Sequence, residues 1–409
     1  MKKILTSSIV LLLTMPMIAA ENKDVNVSEE NSVSTESEFV SDEKLEEGFI
    51  THYLNSAIES AMANIDAKES KSSVEFGRKT TAYASAPKFG GYFIGKYDYT
   101  DKEGSHTGNG FSQRPIRMYV DGTIFNDFAY RIQVQTNNSS FHMKDFFLEW
   151  KKYPEFKVKL GQYKRAFGLE NPMNPWDVGV GDYSQLTKKL TGHSDFIGAE
   201  SSSNGGRDQG IQVQGDLFPI GKDAHRLIHY QLMLSNGQGI NTADANSQKD
   251  ITGTIHIQPV KGLFFGFYGW TGNYTSGTVT VNRDRYLLFA KYESNDWSFR
   301  AEYAHSTGHK VSDYATDING QEYWKGTGHA DAWYATIGIP CNSWLKTWLK
   351  YDVYRDDATW GTTKSIYSIC PNIQLHKNLM FQPQFNYVHD RNLAKNNYCE
   401  LWLETYVRF

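Results

Sequence analysis

The chain has 409 residues, a net charge of −4 at pH 7, three cysteines and 14% aromatic residues. Near-neutral charge gives no electrostatic footprint for nucleic acid. With no C-x-x-C pair, a cysteine zinc site is excluded as a working idea. The odd cysteine count leaves at least one thiol unpaired if the chain is exported, and Cys341, Cys370 and Cys399 read as small apolar fillers.

Residues 1–20, MKKILTSSIVLLLTMPMIAA, combine a basic start, an apolar run from Ile9 to Leu13 and small residues at Ala19 and Ala20. This is the pattern of a secretory signal peptide cut near Ala20. The apolar run is too short for a membrane-spanning helix, and no later run approaches about 20 apolar residues. Residues 21–87 are expected to form an acidic periplasmic extension. Ten carboxylates lie between Glu21 and Gly48, against Lys23 and Lys44, which favours disorder. A weak helical pattern follows at Leu45, Phe49, Tyr53, Ala57, Ile58, Ala61 and Ile65.

From Lys88 onward, alternating segments of strand length recur. The expected strands are Lys88–Tyr99, Gln113–Phe125, Asp127–Thr136, Phe141–Lys151, Phe156–Tyr163, Asp208–Phe218, Arg226–Ser235 and Asp250–Pro259. They continue as Leu263–Tyr274, Asp284–Ser294, Trp297–Gly308, His329–Pro340, Leu345–Asp356, Lys364–Ile373, Leu379–Asp390 and Asn397–Phe409. Connections after even-numbered strands are short. Most after odd-numbered strands are long, among them Thr100–Ser112, Lys164–Arg207, Asn236–Lys249, Thr275–Arg283 and His309–Gly328. An antiparallel transmembrane β-barrel with tight periplasmic turns and longer external loops has this rhythm. The connection Lys164–Arg207 is the longest, with an apolar cluster of Phe167, Leu169, Met173 and Trp176. A connection of that length in a compact domain usually has a function.

The final strand, NYCELWLETYVRF, states the pattern most clearly. Leu401, Leu403, Thr405, Val407 and Phe409 fall on one face, and Glu400, Trp402, Glu404, Tyr406 and Arg408 on the other. The first face suits lipid and the second a water-filled lumen. The 25 Tyr, 23 Phe and 10 Trp suit girdles at the two membrane interfaces.

Three stretches, RPIRMYVDGTIFNDFAYRIQVQ (Arg114–Gln135), DFFLEW (Asp145–Trp150) and FKVKLGQYKRAFGLE (Phe156–Glu170), resemble the porin O and P family of Gram-negative outer membranes, the phosphate-selective porins. A fourth, RDQGIQVQGDL (Arg207–Leu217), is also similar. The resemblance implies an all-β, sixteen-stranded trimeric barrel in the outer membrane that passes small anions or other small solutes by diffusion. It further implies that the loop after strand five folds into the lumen and narrows it. The implied partners are outer-membrane lipid and small solutes, with no cofactor.

Selectivity in a pore comes from the charges that line it. Alternation assigns the cations Arg117, Arg131, Lys157, Lys159, Lys291, Arg300, Lys346, Lys350 and Arg408 to the lumen. The anions Asp121, Asp145, Glu149, Asp216, Glu293, Glu302, Asp352, Glu400 and Glu404 share that face. The balance of nine against nine departs from an anion-selective lining, and cross-strand pairing accounts for many such charges. The long loop adds Lys164, Arg165, Lys188, Lys189 and Arg207, with Lys188 and Lys189 expected near its tip. The anion-binding candidates are therefore Arg117, Arg131, Lys157, Lys159, Lys164, Arg165, Lys188, Lys189, Arg300, Lys346 and Lys350.

Other motifs are weaker. GGYFIGKY (Gly90–Tyr97) approaches a phosphate-binding loop, but Tyr97 replaces the magnesium-binding hydroxyl residue and no helix follows. His305 and His309 are expected as a loop pair rather than metal ligands, because a strand separates such positions by about 13 Å. No catalytic constellation emerges, so the expected function is passive diffusion of small hydrophilic solutes, with anions such as phosphate as the candidate favoured class. A lipase-type barrel enzyme, a surface-binding adhesion barrel and a soluble exported β-protein are the alternatives.

Overall fold

The computed structural model describes residues 84–105, 109–137, 140–197 and 205–409. The expected signal peptide and most of the acidic extension lie outside these residues. Sixteen antiparallel strands close into one barrel, each pairing with its sequence neighbours and the first with the last. They are β1 (Lys88–Thr100), β2 (Asn109–Ile124), β3 (Phe128–Asn137), β4 (Ser140–Tyr153), β5 (Phe156–Lys164), β6 (Arg207–Ile220), β7 (His225–Ser235) and β8 (Asp250–Val260). The second half is β9 (Leu263–Ser276), β10 (Val279–Ser294), β11 (Trp297–Thr307), β12 (His329–Pro340), β13 (Leu345–Asp356), β14 (Thr363–His376), β15 (Leu379–Asp390) and β16 (Asn397–Arg408).

The strand alternation read from the sequence becomes two surfaces. On β10, Val281, Arg283, Arg285, Leu287 and Phe289 are buried, while Tyr286 and Leu288 between them are exposed. Along β16, Glu404 and Tyr406 are buried and Leu401 is exposed. The outer apolar face is the one that meets hydrocarbon. Rows of outward tyrosines cross neighbouring strands: Tyr351 lies 4.9 Å from Tyr367, which lies 6.3 Å from Tyr387. Beside the short turns, Phe125, Phe218, Trp297 and Trp344 are exposed. These two zones are the aromatic girdles expected from composition.

Tight connections follow local chemistry. Asn295 and Asp296 form a two-residue hairpin between β10 and β11, with φ of 48° and 65°. Asn and Asp tolerate the left-handed conformation that such a turn demands. Closure is equally local. The backbones of Gly91 and Phe409 exchange two hydrogen bonds of 3.0 Å. A Cβ on Gly91 would lie 2.7 Å from the Phe409 ring, so the seam requires glycine.

Two expectations need correction. The connection Thr275–Arg283 is not a long loop: β9 and β10 both extend, leaving only residues 277–278 between them. Hydrogen-bonded pairing runs to Ser276 and Val279 because the hairpin continues beyond the apolar band that sets the sequence pattern. The connection His309–Gly328 is long, as expected. It carries a small hairpin of Tyr314–Thr316 and Glu322–Trp324. His305 is likewise not in a loop but on β11, 5.4 Å from the His329 ring, whereas His309 stacks on Trp324.

Candidate functional site

Beyond the strands, the residues between β5 and β6 form the largest apolar cluster with the wall. Phe167, Leu169, Leu186, Leu190, Phe196 and Ile197 pack on Tyr268, Trp270, Leu287, Phe289, Ala304 and Tyr334. Two short helices shape this segment, α1 (Pro175–Val178) and α2 (Gln185–Leu190). Pro175 opens α1 without losing a needed N–H. Gly179, at φ 89°, ends it, and a side chain there would collide with Trp348. Ser184 caps α2 by accepting from the Thr187 N–H at 3.2 Å. Glu170 accepts from the Ser184 N–H at 2.8 Å and the Thr187 hydroxyl at 3.1 Å.

Polar wall residues then grip the segment's backbone. Gln384 accepts from the Gly181 N–H at 2.6 Å, and Gln382 donates to the Gly179 carbonyl at 3.1 Å. Arg114 donates to the Gly181 carbonyl and Arg300 to the Val178 carbonyl. Lys350 reaches the Asp182 carbonyl at 3.3 Å. Glu302 accepts from the Leu169 N–H at 2.7 Å, and Asp352 from the Gln185 N–H at 2.9 Å. Arg285 holds Asp195 through two bonds of 2.5 and 2.6 Å and donates to the Leu190 carbonyl at 2.8 Å.

Four ionisable groups of the segment are displaced from their usual values, one of them the Tyr183 hydroxyl, which burial pushes up. Burial alone would raise the Asp182 carboxyl, but Lys188 at 2.5 Å and Arg114 overcome it and hold it low. Asp195 is likewise low because Arg285 and then Arg283 outweigh its burial. Burial drives His193 well below the usual histidine range, and Lys164, Arg207 and Arg117 add to the effect. The neutral ring sits 3.0 Å from the Asn171 amide oxygen, which requires it to donate from Nε2.

Nearly all the wall cations assigned by alternation are engaged with polar partners. Arg117 donates to Gln135 at 2.8 Å, and Arg131 forms a two-pronged bond to Asp121. Lys157 pairs with Asp216 at 2.8 Å and Lys159 with Glu149 at 3.3 Å. Lys346 donates to Ser298, and Lys350 lies 3.5 Å from Asp352. Lys164 binds the Asn171 and Met173 carbonyls, and Arg165 binds Asp208 at 2.7 Å. Lys188 and Lys189 do not stand at a loop tip. They occupy the last turn of α2, which packs against the wall. Lys189 is exposed and, among the described residues, makes no side-chain bond.

Four cations escaped the sequence reading. Arg114 and Lys144 lie at β-bulges, where an extra residue breaks strict alternation and turns a second side chain inward. Pro115, which cannot donate to the ladder, was the available signal for the first. Arg283 lies on the part of β10 that extends beyond the expected strand and Arg285 just inside that strand, and the two flank the Trp270 ring at 4.4 and 4.7 Å.

Between the segment and the wall from β3 to β10 lies a cavity of about 470 Å³. Its lining includes the cations Arg131, Lys159, Lys164, Arg165 and Lys291, the amides Gln212, Gln214 and Gln231, and the rings of Phe264, Tyr268 and Phe289. A closed, even-stranded barrel with a lipid-facing outside and a charged inside has the architecture of an outer-membrane β-barrel, the fold that porins use. Residues 90–263 match the model of the phosphate-selective porin O and P family. Solved structures agree on the fold. An anion-selective porin from Comamonas acidovorans superposes with a TM-score of 0.59 at 12% identity, covering 80% of this chain and 100% of that one. The outer-membrane channel DcaP of Acinetobacter baumannii gives 0.56 at 13% identity over 81% and 99%. OmpT of Vibrio cholerae, in its trimer form, gives 0.54 at 9% identity over 80% and 100%. No curated protein sequence matches the chain. The family match and the barrel place the protein in the outer membrane of a Gram-negative cell as a passive diffusion channel.

Proposed function

We propose that residues 165–197 lie across the lumen as the constriction of this channel, and that small hydrophilic solutes pass through the cavity they leave beside β3 to β10. The observation that carries this reading is the grip on Val178–Asp182 by Arg114, Arg300, Lys350, Gln382 and Gln384. Those side chains come from β2, β11, β13 and β15, and only the inside of the barrel is within reach of all four. Conduction needs attraction strong enough to admit a solute and weak enough to release it. Paired cations supply a polar lining without a deep anion trap, and exposed Lys189 tilts the field toward anions. The protein works as a homotrimer and performs no catalysis, a reading supported by the trimeric form of the Vibrio cholerae structure.

Single-channel recording under a tenfold KCl gradient tests the reading. Conductance steps with a weakly anion-directed reversal potential are expected. Absence of steps from folded protein would refute the channel. A cation-directed potential would keep the channel and remove the anion preference.

A further inference from the structure

The cavity beside the constriction is not built for a small inorganic anion. Four of its five cations are paired with a carboxylate, Arg131 with Asp121, Lys159 with Glu149 at 3.3 Å, Arg165 with Asp208 at 2.7 Å and Lys291 with Glu293 at 2.9 Å, and the fifth, Lys164, is held by the Asn171 and Met173 carbonyls. A charge neutralised by an adjacent carboxylate offers little net field to an anion.

One side of the cavity is instead an aromatic patch. The rings of Tyr268 and Phe289 lie 5.4 Å apart, and His256 sits 4.6 Å from Phe289 and 5.2 Å from Tyr268. The patch is continued by Phe167 from the constriction, 5.9 Å from Tyr268. Next to it runs a row of neutral amides on β6 and β7, with Gln212 donating to Gln214 at 2.6 Å. Two polar atoms among the residues lining this cavity are buried without a partner: the acceptor Oε1 of Gln212 and the donor Nε of Arg165.

We infer that this passage is selective for neutral pyranose sugars. A pyranose presents C–H faces that pack on aromatic rings, and its rim of hydroxyls both donates and accepts. It therefore meets the aromatic side and the row of glutamine amides at once. Inorganic phosphate has no apolar face and gains nothing from the rings. The volume of about 470 Å³ falls in the range of small-molecule sites, roughly 300–1,000 Å³. The inference rests on the proposed course of residues 165–197.

The full chain, reconstituted in planar bilayers, is titrated with maltose while single-channel KCl current is recorded, with the open-chain polyol sorbitol and with inorganic phosphate as comparators. Maltose is expected to interrupt the current at millimolar concentration, at least tenfold below any effect of sorbitol or phosphate. Phe289→Ala and, independently, Gln212→Leu should each raise the half-blocking maltose concentration at least fivefold in channels that still conduct. Steps with equal block by maltose and sorbitol, or stronger block by phosphate, would overturn the sugar inference alone. No steps at all would overturn the channel reading and this inference with it.

Discussion

Asp195→Asn should release the constriction from one wall. In the native protein Asp195 and Arg285 are both fully buried, and two bonds of 2.5 and 2.6 Å join them. The amide can keep the bond from the Ile197 N–H but removes the charge that compensates the guanidinium. Breaking a buried pair from one side costs about 3–5 kcal/mol, since the remaining charge is stranded. Arg285 would retain the Leu190 carbonyl, the Ser306 hydroxyl and the Trp270 ring. The lower end, about 3 kcal/mol, is therefore expected. That shifts the balance between docked and released segment by roughly a hundredfold toward release. Single-channel recording should show frequent larger substates, and liposome swelling a higher exclusion limit. Adding Arg285→Met should restore much of the native behaviour by removing the stranded charge. An Asp195→Asn channel with native conductance and native exclusion limit would refute the idea that this pair fastens the constriction.

Further outcomes follow from other residues. The docked segment keeps His193 neutral, so below the ordinary histidine pKa of about 6.5 a released segment binds a proton the docked one refuses. Docking therefore weakens as pH falls from about 6.5, by up to about 1.4 kcal/mol per pH unit. Asp182 and Asp195, held low, keep their contributions until pH drops below about 4. Open substates should become commoner between pH 6.5 and 5 in the native channel and stay level in His193→Gln; equal pH dependence in both would sink the assignment. Leu288→Arg, on the lipid side of β10, should cost about 2–4 kcal/mol of folding stability in vesicles if it lies near the bilayer centre. Unchanged denaturant midpoints would contradict the assigned face. Lys189→Glu should move the reversal potential toward cations while leaving the conductance within about twofold of native. An unmoved potential would remove Lys189 from the conducting path.

The parts of the fold legible in sequence were those in which one residue's environment depends on its nearest neighbours. Period-two alternation in β16 follows from the pleat alone, and Asn295–Asp296 announces its own hairpin. Alternation put the cations from Arg117 to Lys350 on one face, and most of them have polar partners there. It failed at Arg114 and Lys144, because a bulge changes the parity of everything beyond it and depends on the partner strand. Arg283 was lost for a different reason: above the hydrocarbon layer, outward positions such as Asn282 and Asp284 become polar and the pattern fades. The engagement of the cations was the least legible feature. Whether Arg300 faces solute or the Val178 carbonyl depends on a segment more than a hundred positions away.

The seam between β1 and β16 has a consequence for how the protein is made. Tyr92 pairs with Arg408 and Lys96 with Glu404, so the ring cannot close until the last strand is available. Contacts so distant in sequence make for slow folding. Until they form, two long edges with unpaired backbone groups remain open to association with other chains. The rate of assembly should thus be governed by the Gly91–Phe409 seam, far from the groups that govern what passes through. Substitutions there would change the yield of finished channels without changing the current each one carries.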